Sequence, residues 1–479
     1  MKAPRLAIAL LAVSTALLPL ASAGATSISP ATELSLPTPN SGLDQGYLPF
    51  QSCSSLGNCA LSGIYLAAHN FAAGVIESEV KGVWQTPLAM TPPNGYIAAD
   101  GVTVEGLSCP ATGSCVALGR YETSTNQLPF VVSETKGIWQ RSVSLALPKN
   151  AVSTGELATP HAVTCVSAGN CTVVGTYTTN KTGFATQGFI SSEVRGVWRS
   201  ASALTLPPGA NAAPSVSLTQ VSCWSAGNCV SVGSYLDANN VSHDIVVPEI
   251  SGSWKSAESV GLPGNASAFA GAQFNEVACT SSGACLAAGT YNTITGAVQP
   301  LVALGNAGTW NRALEVNLPL GAPNPEAQLF GFNGASCSTP GNCALVGQYV
   351  DKTGRHQGFL DNVVNGNVQR AQVLRLPAGA VQAGPNGGVV SVSCPGVGTC
   401  VAGAAYLSAQ NKYEAIVASE TNNVWMLGTT VSLPANATTV GVAGGIYSVQ
   451  CFTTSSCVVS GSYQSTGARY DGFTLTTSA

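Results

Sequence analysis

Charge is scarce in this sequence. Only 8% of its 479 residues are Asp, Glu, Lys or Arg, and the 18 basic residues form no stripe. Nucleic acid and anionic membrane surfaces are gripped through basic patches, so neither is expected as a partner. Histidine is rarer still. His69, His161, His243 and His356 keep no fixed offset from the cysteines, so no zinc-ligand pattern exists and no metal or cofactor is expected. Asp237-Ala-Asn-Asn and Asp351-Lys-Thr-Gly lack the alternating oxygens of a calcium loop. There is no Gly-Lys-Ser phosphate loop, Gly-x-Ser-x-Gly elbow or His-Glu-x-x-His pair. Beyond the N-terminus no apolar run approaches the length of a membrane span, and no helical apolar period persists.

What the chain does have begins with an export signal. Lys2 and Arg5 precede an apolar run from Leu6 to Leu20 and a small-x-small site at Ala21-Ser22-Ala23. Residues 1–23 therefore read as a signal peptide and 24–479 as the mature, exported chain, secreted or at the cell surface. Losing Lys2 and Arg5 leaves 16 basic against 22 acidic residues, a net charge of −6.

Sixteen cysteines in an exported chain imply disulfides. They fall into eight pairs with five residues between partners: Cys53 with Cys59, Cys109 with Cys115, Cys165 with Cys171, Cys223 with Cys229, Cys279 with Cys285, Cys337 with Cys343, Cys394 with Cys400, and Cys451 with Cys457. The five-residue loops have turn composition, so each bridge is expected to staple a hairpin turn. First cysteines recur every 56–58 residues. Six residues after each second cysteine stands a tyrosine, from Tyr65 to Tyr463, with Gly two residues before it in seven copies. A tryptophan follows the first cysteine by 30–33 residues in six copies, and Val368 takes its place in the sixth. Leu-Pro usually comes eight residues later, as in Leu206-Pro207.

Each unit reads as four short strands. In the fourth copy these are Leu218 to Cys223, Cys229 to Tyr235, Asp244 to Ile250, and a Trp254 strand ended by Pro263. Eight four-stranded antiparallel units at this period predict an all-β, eight-bladed β-propeller forming a single domain, with recurring Tyr and Trp packed between blades. The last unit stops at Ala479, before a Trp strand, whereas Leu34-Ser-Leu36-Pro37 matches Leu204-Thr-Leu206-Pro207. An N-terminal strand at about residues 28–37 is thus expected to complete the last blade beside Phe473 to Thr477.

The recurring Ser-Cys, Cys-x-x-x-Gly-x-Tyr-like strand and Gly-x-Trp strand resemble those of secreted bacterial multi-bladed propeller repeat proteins over residues 26–479. The resemblance implies export and ring architecture and brings no activity, since such rings host many functions. Ser78-Glu79-Val-Lys-Gly82-Val-Trp84 and its relatives are similar to the Asp-box of sialidases. They depart from it in having Glu for Asp, a glycine one place nearer the Trp and no threonine. The scattered arginines argue against a sialidase site, and Glu-x-x-(Lys/Arg) reads as solvating a hairpin turn.

Binding sites break repeat symmetry, and the symmetry-breaking residues lie in loops after each Tyr and between blades. Strand order puts both loop sets on the face opposite the disulfides. The candidate ligand-binding residues there are His69, Asp237, His243, Asp244, Asp351, Arg355, His356, Tyr413, Arg469, Tyr470 and Asp471. The sequence thus points to a monomeric, non-catalytic scaffold binding an unidentified protein or glycan. The alternative is a carbohydrate-active enzyme, hydrolase or lyase, with its site at the channel mouth.

Overall fold

The computed structural model of the protein describes residues 27–34, 46–66, 72–97, 101–179, 185–269, 271–322, 329–383, 388–438, 444–466 and 469–477. The proposed signal peptide, His69 and Ser35 to Pro37 lie outside them. The described chain is an all-β propeller of eight antiparallel blades. Blade 4 has strands Ser217–Ser225, Asn228–Leu236, Ser242–Ile250 and Ser253–Trp254, in that order across the sheet. The fourth strand is shorter than the sequence pattern suggests. In blade 3 it splits into Val197–Trp198 and Ser202–Ala203, which pair with the third strand at two heights.

First strands touch the first strands of both neighbouring blades all the way round, so they form the inner wall of the ring. One edge of each pairs with its own second strand. Every first strand also carries a β-bulge near its start, such as that between Leu218 and Gln220. The residue four before the first cysteine is the extra one, and it varies widely among the blades.

All eight disulfides form within blades and join the expected partners, with Cα atoms 3.9–4.1 Å apart: Cys53 to Cys59, Cys109 to Cys115, Cys165 to Cys171, Cys223 to Cys229, Cys279 to Cys285, Cys337 to Cys343, Cys394 to Cys400, and Cys451 to Cys457. Each bridge staples the first hairpin of its blade, as expected, and also reaches into the packing between blades. The second cysteine of every pair (Cys59, Cys115, Cys171, Cys229, Cys285, Cys343, Cys400 and Cys457) is buried. The reason is strand geometry: each opens the second strand on the side that faces a neighbouring blade. Cys59 packs with Val458 of blade 8, and Cys115 with Ala60 of blade 1. Cys285, Cys343, Cys400 and Cys457 likewise belong to the apolar clusters between blades. The second cysteine of each bridge is therefore part of the packing between blades.

Each bridge lies behind a tight hairpin; in blade 4 its tip is at Gly227, whose φ of 73° lies where glycine is favoured. The Gly227 carbonyl accepts the N–H of Gly252 in the next turn, and Asn228 Oδ1 accepts that of Ser251. The recurring Gly-Asn therefore joins two turns of one blade. The glycine before the tyrosine answers a different need: a Cβ on Gly233 would lie 1.8 Å from the Ser217 carbonyl oxygen.

The expected inter-blade packing is present. Tyr121, Tyr177, Tyr235, Tyr291, Tyr349, Tyr406 and Tyr463 are all buried. Tyr177 donates to Asn150 and Tyr463 to Asn436, both in segments that follow the preceding blade. The indole of Trp139 reaches back to Ser78 of blade 1 at 3.0 Å. The serine that precedes five of the eight first cysteines has a role invisible within one repeat. Ser52, Ser108, Ser222, Ser336 and Ser393 accept the N–H of the first cysteine in the next blade. At the joint between blades 8 and 1, Gln450 takes the serine's place and bonds both the N–H and the carbonyl of Cys53.

Closure follows the expected plan. Thr32–Glu33 pairs with Arg469–Thr477 as the outer strand of blade 8, and Ile28 bridges Thr477. Backbone bonds from Ser29 to Thr476 and from Leu34 to Gly472 extend the contact, and the Leu34 side chain is buried.

Candidate functional site

The loop face is built from recurring turns. After its tyrosine, blade 4 runs Asp237 to Val241, where Asp237 Oδ1 accepts the N–H groups of Asn239 and Val241. In blade 6, Asp351 Oδ1 accepts those of Thr353 and Arg355. Thr293 and Ser408 stand at the same offset in blades 5 and 7, and their hydroxyls accept from Ala297 and Lys412. Asp237 and Asp351 are therefore two instances of one turn-capping position. Inter-blade loops zip onto these turns, as in the bonds Ala238 to Gly209 and Ile294 to Asn265.

The other candidates sit around this frame. His243 begins a third strand, and its Nε2 lies 3.1 Å from Asp237 Oδ2. In blade 6 the same position is Gln357, which donates to Asp351 Oδ2. Burial opposes ionisation of Asp351, but the bonds from Thr353, Arg355 and Gln357 prevail and hold it at about 2. Asp237 is lowered chiefly by the Val241 N–H, with His243 adding to the effect.

Asp244 differs from expectation. It lies within the strand with no exposure, its Oδ2 accepting the Val260 N–H and its Oδ1 the Ser259 hydroxyl. Burial lifts it to about 6. It anchors the segment leading to the next blade and is not a loop residue. Arg355 is exposed and His356 half-buried at the start of the blade 6 third strand. Tyr413 opens the third strand of blade 7, and Arg469, Tyr470 and Asp471 open that of blade 8. The described candidates thus sit at turns and third-strand starts of blades 4, 6, 7 and 8, and Asp237 pairs with His243 within its own blade. Among the described residues no group of three or more His, Cys, Asp or Glu could hold a metal.

A cluster outside the loops was missed. Glu105 and Arg120 form an ion pair of 3.0 Å. Arg120 also donates to Thr103 and Gln127, and Gln127 in turn to Glu122. His161 of blade 3 lies close enough that Arg120 adds to the lowering of its pKa by burial. Glu105 and His161 occupy the bulge position, filled elsewhere by residues as unlike as Pro49, Thr219 and Tyr447. That irregular column, four before each first cysteine, was the available signal.

No family model and no curated protein matches this chain. Solved structures that are similar include the Dos1 propeller, at 11% identity and a TM-score of 0.49, covering 94% of each chain. A protein of unknown function from Dyadobacter fermentans matches at 11% identity and a TM-score of 0.38, covering 81% of this chain and 96% of its own. An ulvan lyase matches at 9% and 0.42, covering 82% and 98%. None of them lends this chain a function.

The Ser-Glu box corrects a further expectation. Its lysine or arginine sits at an exposed turn of positive φ (Lys81, Lys136, Arg195), but its glutamate does not face solvent. Glu134, Glu193, Glu249 and Glu420 are buried, each opposite the tryptophan of its own blade. Burial raises all four, Glu249 and Glu420 to about 7. This pairing explains why Val363 accompanies Val368 in blade 6: the two are cross-strand partners.

Proposed function

We propose that this protein is an exported, non-catalytic scaffold that binds a glycan or a protein. One observation carries the reading. The aspartates of the loop turns are already engaged, Asp237 and Asp351 each capping its own turn and held below the ordinary carboxylate range by the N–H groups they accept. A carboxylate accepting several N–H bonds is a poor proton donor near neutral pH and is not free to act as a base. What the face offers a partner is a rim of Asn, Thr, Ser and Gly turns at repeated height, suited to hydrogen bonding over a broad area. The eight disulfides fit an oxidising, extracellular setting.

Glycan-array and pull-down screening of residues 24–479 should return a partner. Depolymerisation of a polysaccharide without stable retention of any ligand would replace this reading with the enzymatic one. The Glu105–Arg120 pair with nearby His161 is the feature that favours that second reading. Substituting His161→Ala would then abolish turnover.

A further inference from the structure

Two crevices between neighbouring blades differ markedly in size. On the disulfide side, the space between blades 3 and 4 encloses about 600 Å³. Its counterpart between blades 1 and 2 encloses about 240 Å³. The larger crevice is lined by Glu193, Arg195 and Arg199 of blade 3 and by Glu249 and Trp254 of blade 4.

Three features define it. Glu193 is 6% exposed, yet its Oε2 has no hydrogen-bond partner; no other glutamate of this box, among the described residues, has such an orphaned atom. Trp254 Nε1 likewise reaches no acceptor, a trait it shares with Trp198 and Trp310, although Ser192 stands where Ser78 serves Trp139. The rim then carries two exposed arginines, and neither guanidinium has an acidic partner among the described residues. No other blade has a cation at both positions. Where Arg199 stands, blades 1, 2 and 6 have Gln85, Gln140 and Gln369, which bond back to their own strands.

A buried acceptor beside a buried donor matches a hydroxyl group, which both gives and receives. Unpaired guanidinium groups at the mouth match an oxyanion, which they can hold through paired bonds. We propose that the blade 3–4 crevice binds an acidic saccharide. Its hydroxyls bond Glu193 and Trp254, and its carboxylate or sulfate group lies against Arg195 and Arg199. The idea rests on the scaffold reading but moves the glycan contact from the loop face to the disulfide side. Because burial raises Glu193 and Glu249, the crevice floor repels an acidic ligand less than two ordinary carboxylates would.

The test uses residues 24–479 and a panel of oligogalacturonides, alginate oligomers, sulfated hexasaccharides, and neutral cello- and maltohexaose. The wild type should retain at least one acidic member and neither neutral one, and raising the salt should weaken retention. The carboxylate and sulfate arms tell which oxyanion is held. The double substitution Arg195→Ser with Arg199→Gln installs residues that blades 4 and 1 carry at these positions, so the fold should survive. It should weaken binding at least about tenfold. Glu193→Gln should weaken it while leaving the salt dependence intact. Retention of no acidic glycan, or undiminished binding by the double variant, overturns the crevice. Should the double variant bind normally while Arg355→Ala or Arg469→Ala does not, the crevice is wrong and the loop-face scaffold stands. If no glycan is retained and pull-down returns no protein, the scaffold reading falls as well.

Discussion

Glu77 gives a direct test of how buried carboxyls govern this ring. It lies in the third strand of blade 1 with 1% exposure, and its Oε2 has no partner. Burial pushes its pKa from 4.5 to about 8. An acid whose folded-state pKa is raised holds its proton more tightly when folded. Its contribution is therefore fully present below about pH 4.5 and is lost as pH climbs to about 8. At pH 7 the fold must keep protonated a group that ordinarily ionises about 2.5 pH units lower, a cost of about 3 kcal/mol relative to pH 4.5. Glu77→Gln mimics the protonated form. It should match the wild type at pH 4.5 and exceed it by about 3 kcal/mol at pH 7. Guanidinium unfolding followed by tryptophan fluorescence at stepped pH reads both curves. Glu276, at about 8, and Glu249 and Glu420, at about 7, act with the same sign, so the wild type itself should lose stability from pH 5 to 8. A wild-type curve that is flat or rising over that range, or a Gln variant weaker at pH 7, would refute the reasoning.

Other expectations concern closure and turns. Deleting residues 27–34 should sharply lower the thermal midpoint, and Leu34→Ala alone should cost about 3 kcal/mol; an unchanged midpoint in calorimetry would mean the ring closes without this strand. Gln450→Ser keeps at most one of the two bonds to Cys53 and should cost about 1 kcal/mol in chemical denaturation, with equal stability counting against the joint. Asp351→Ala should cost about 1 kcal/mol at pH 7. Because that carboxyl is held at about 2, its contribution is present above its ordinary 3.8 and fades as pH falls toward 2, so the gap between variant and wild type should close in acid. A gap that persists at pH 2 would point to another cause.

The architecture was legible because its markers sit at fixed offsets within one repeat. Cysteine pairs, the Gly-x-Tyr strand and the truncated last unit each state a local requirement. What could not be read were relations between repeats. The partner of Cys59 follows from spacing alone, but its burial against Val458 depends on the blade next door. Ser222 is an ordinary strand residue until the Cys279 N–H of the next blade is placed beside it. Glu193 stands beside a turn and a cation, which suggests solvent, yet its strand faces a neighbour that covers it. Asp237 and Asp351 looked irregular because the equivalent cap in other blades is a Thr or Ser, a change of chemistry that conceals an identity of role. Glu105 and His161 carry no marker of their own in the sequence, because the inner-wall bulge position varies as freely as the loops do.

The seam inside blade 8 has a mechanical consequence. Ile28 lies against Thr477, so both ends of the paired segments emerge at the same side of one sheet. Tension between the two ends would load the backbone bonds one after another, as when a zipper is peeled, rather than all together. A load carried through one end alone would leave that seam unstressed. The ring is therefore suited to hanging from a single tether and ill suited to serving as a link within a stretched chain.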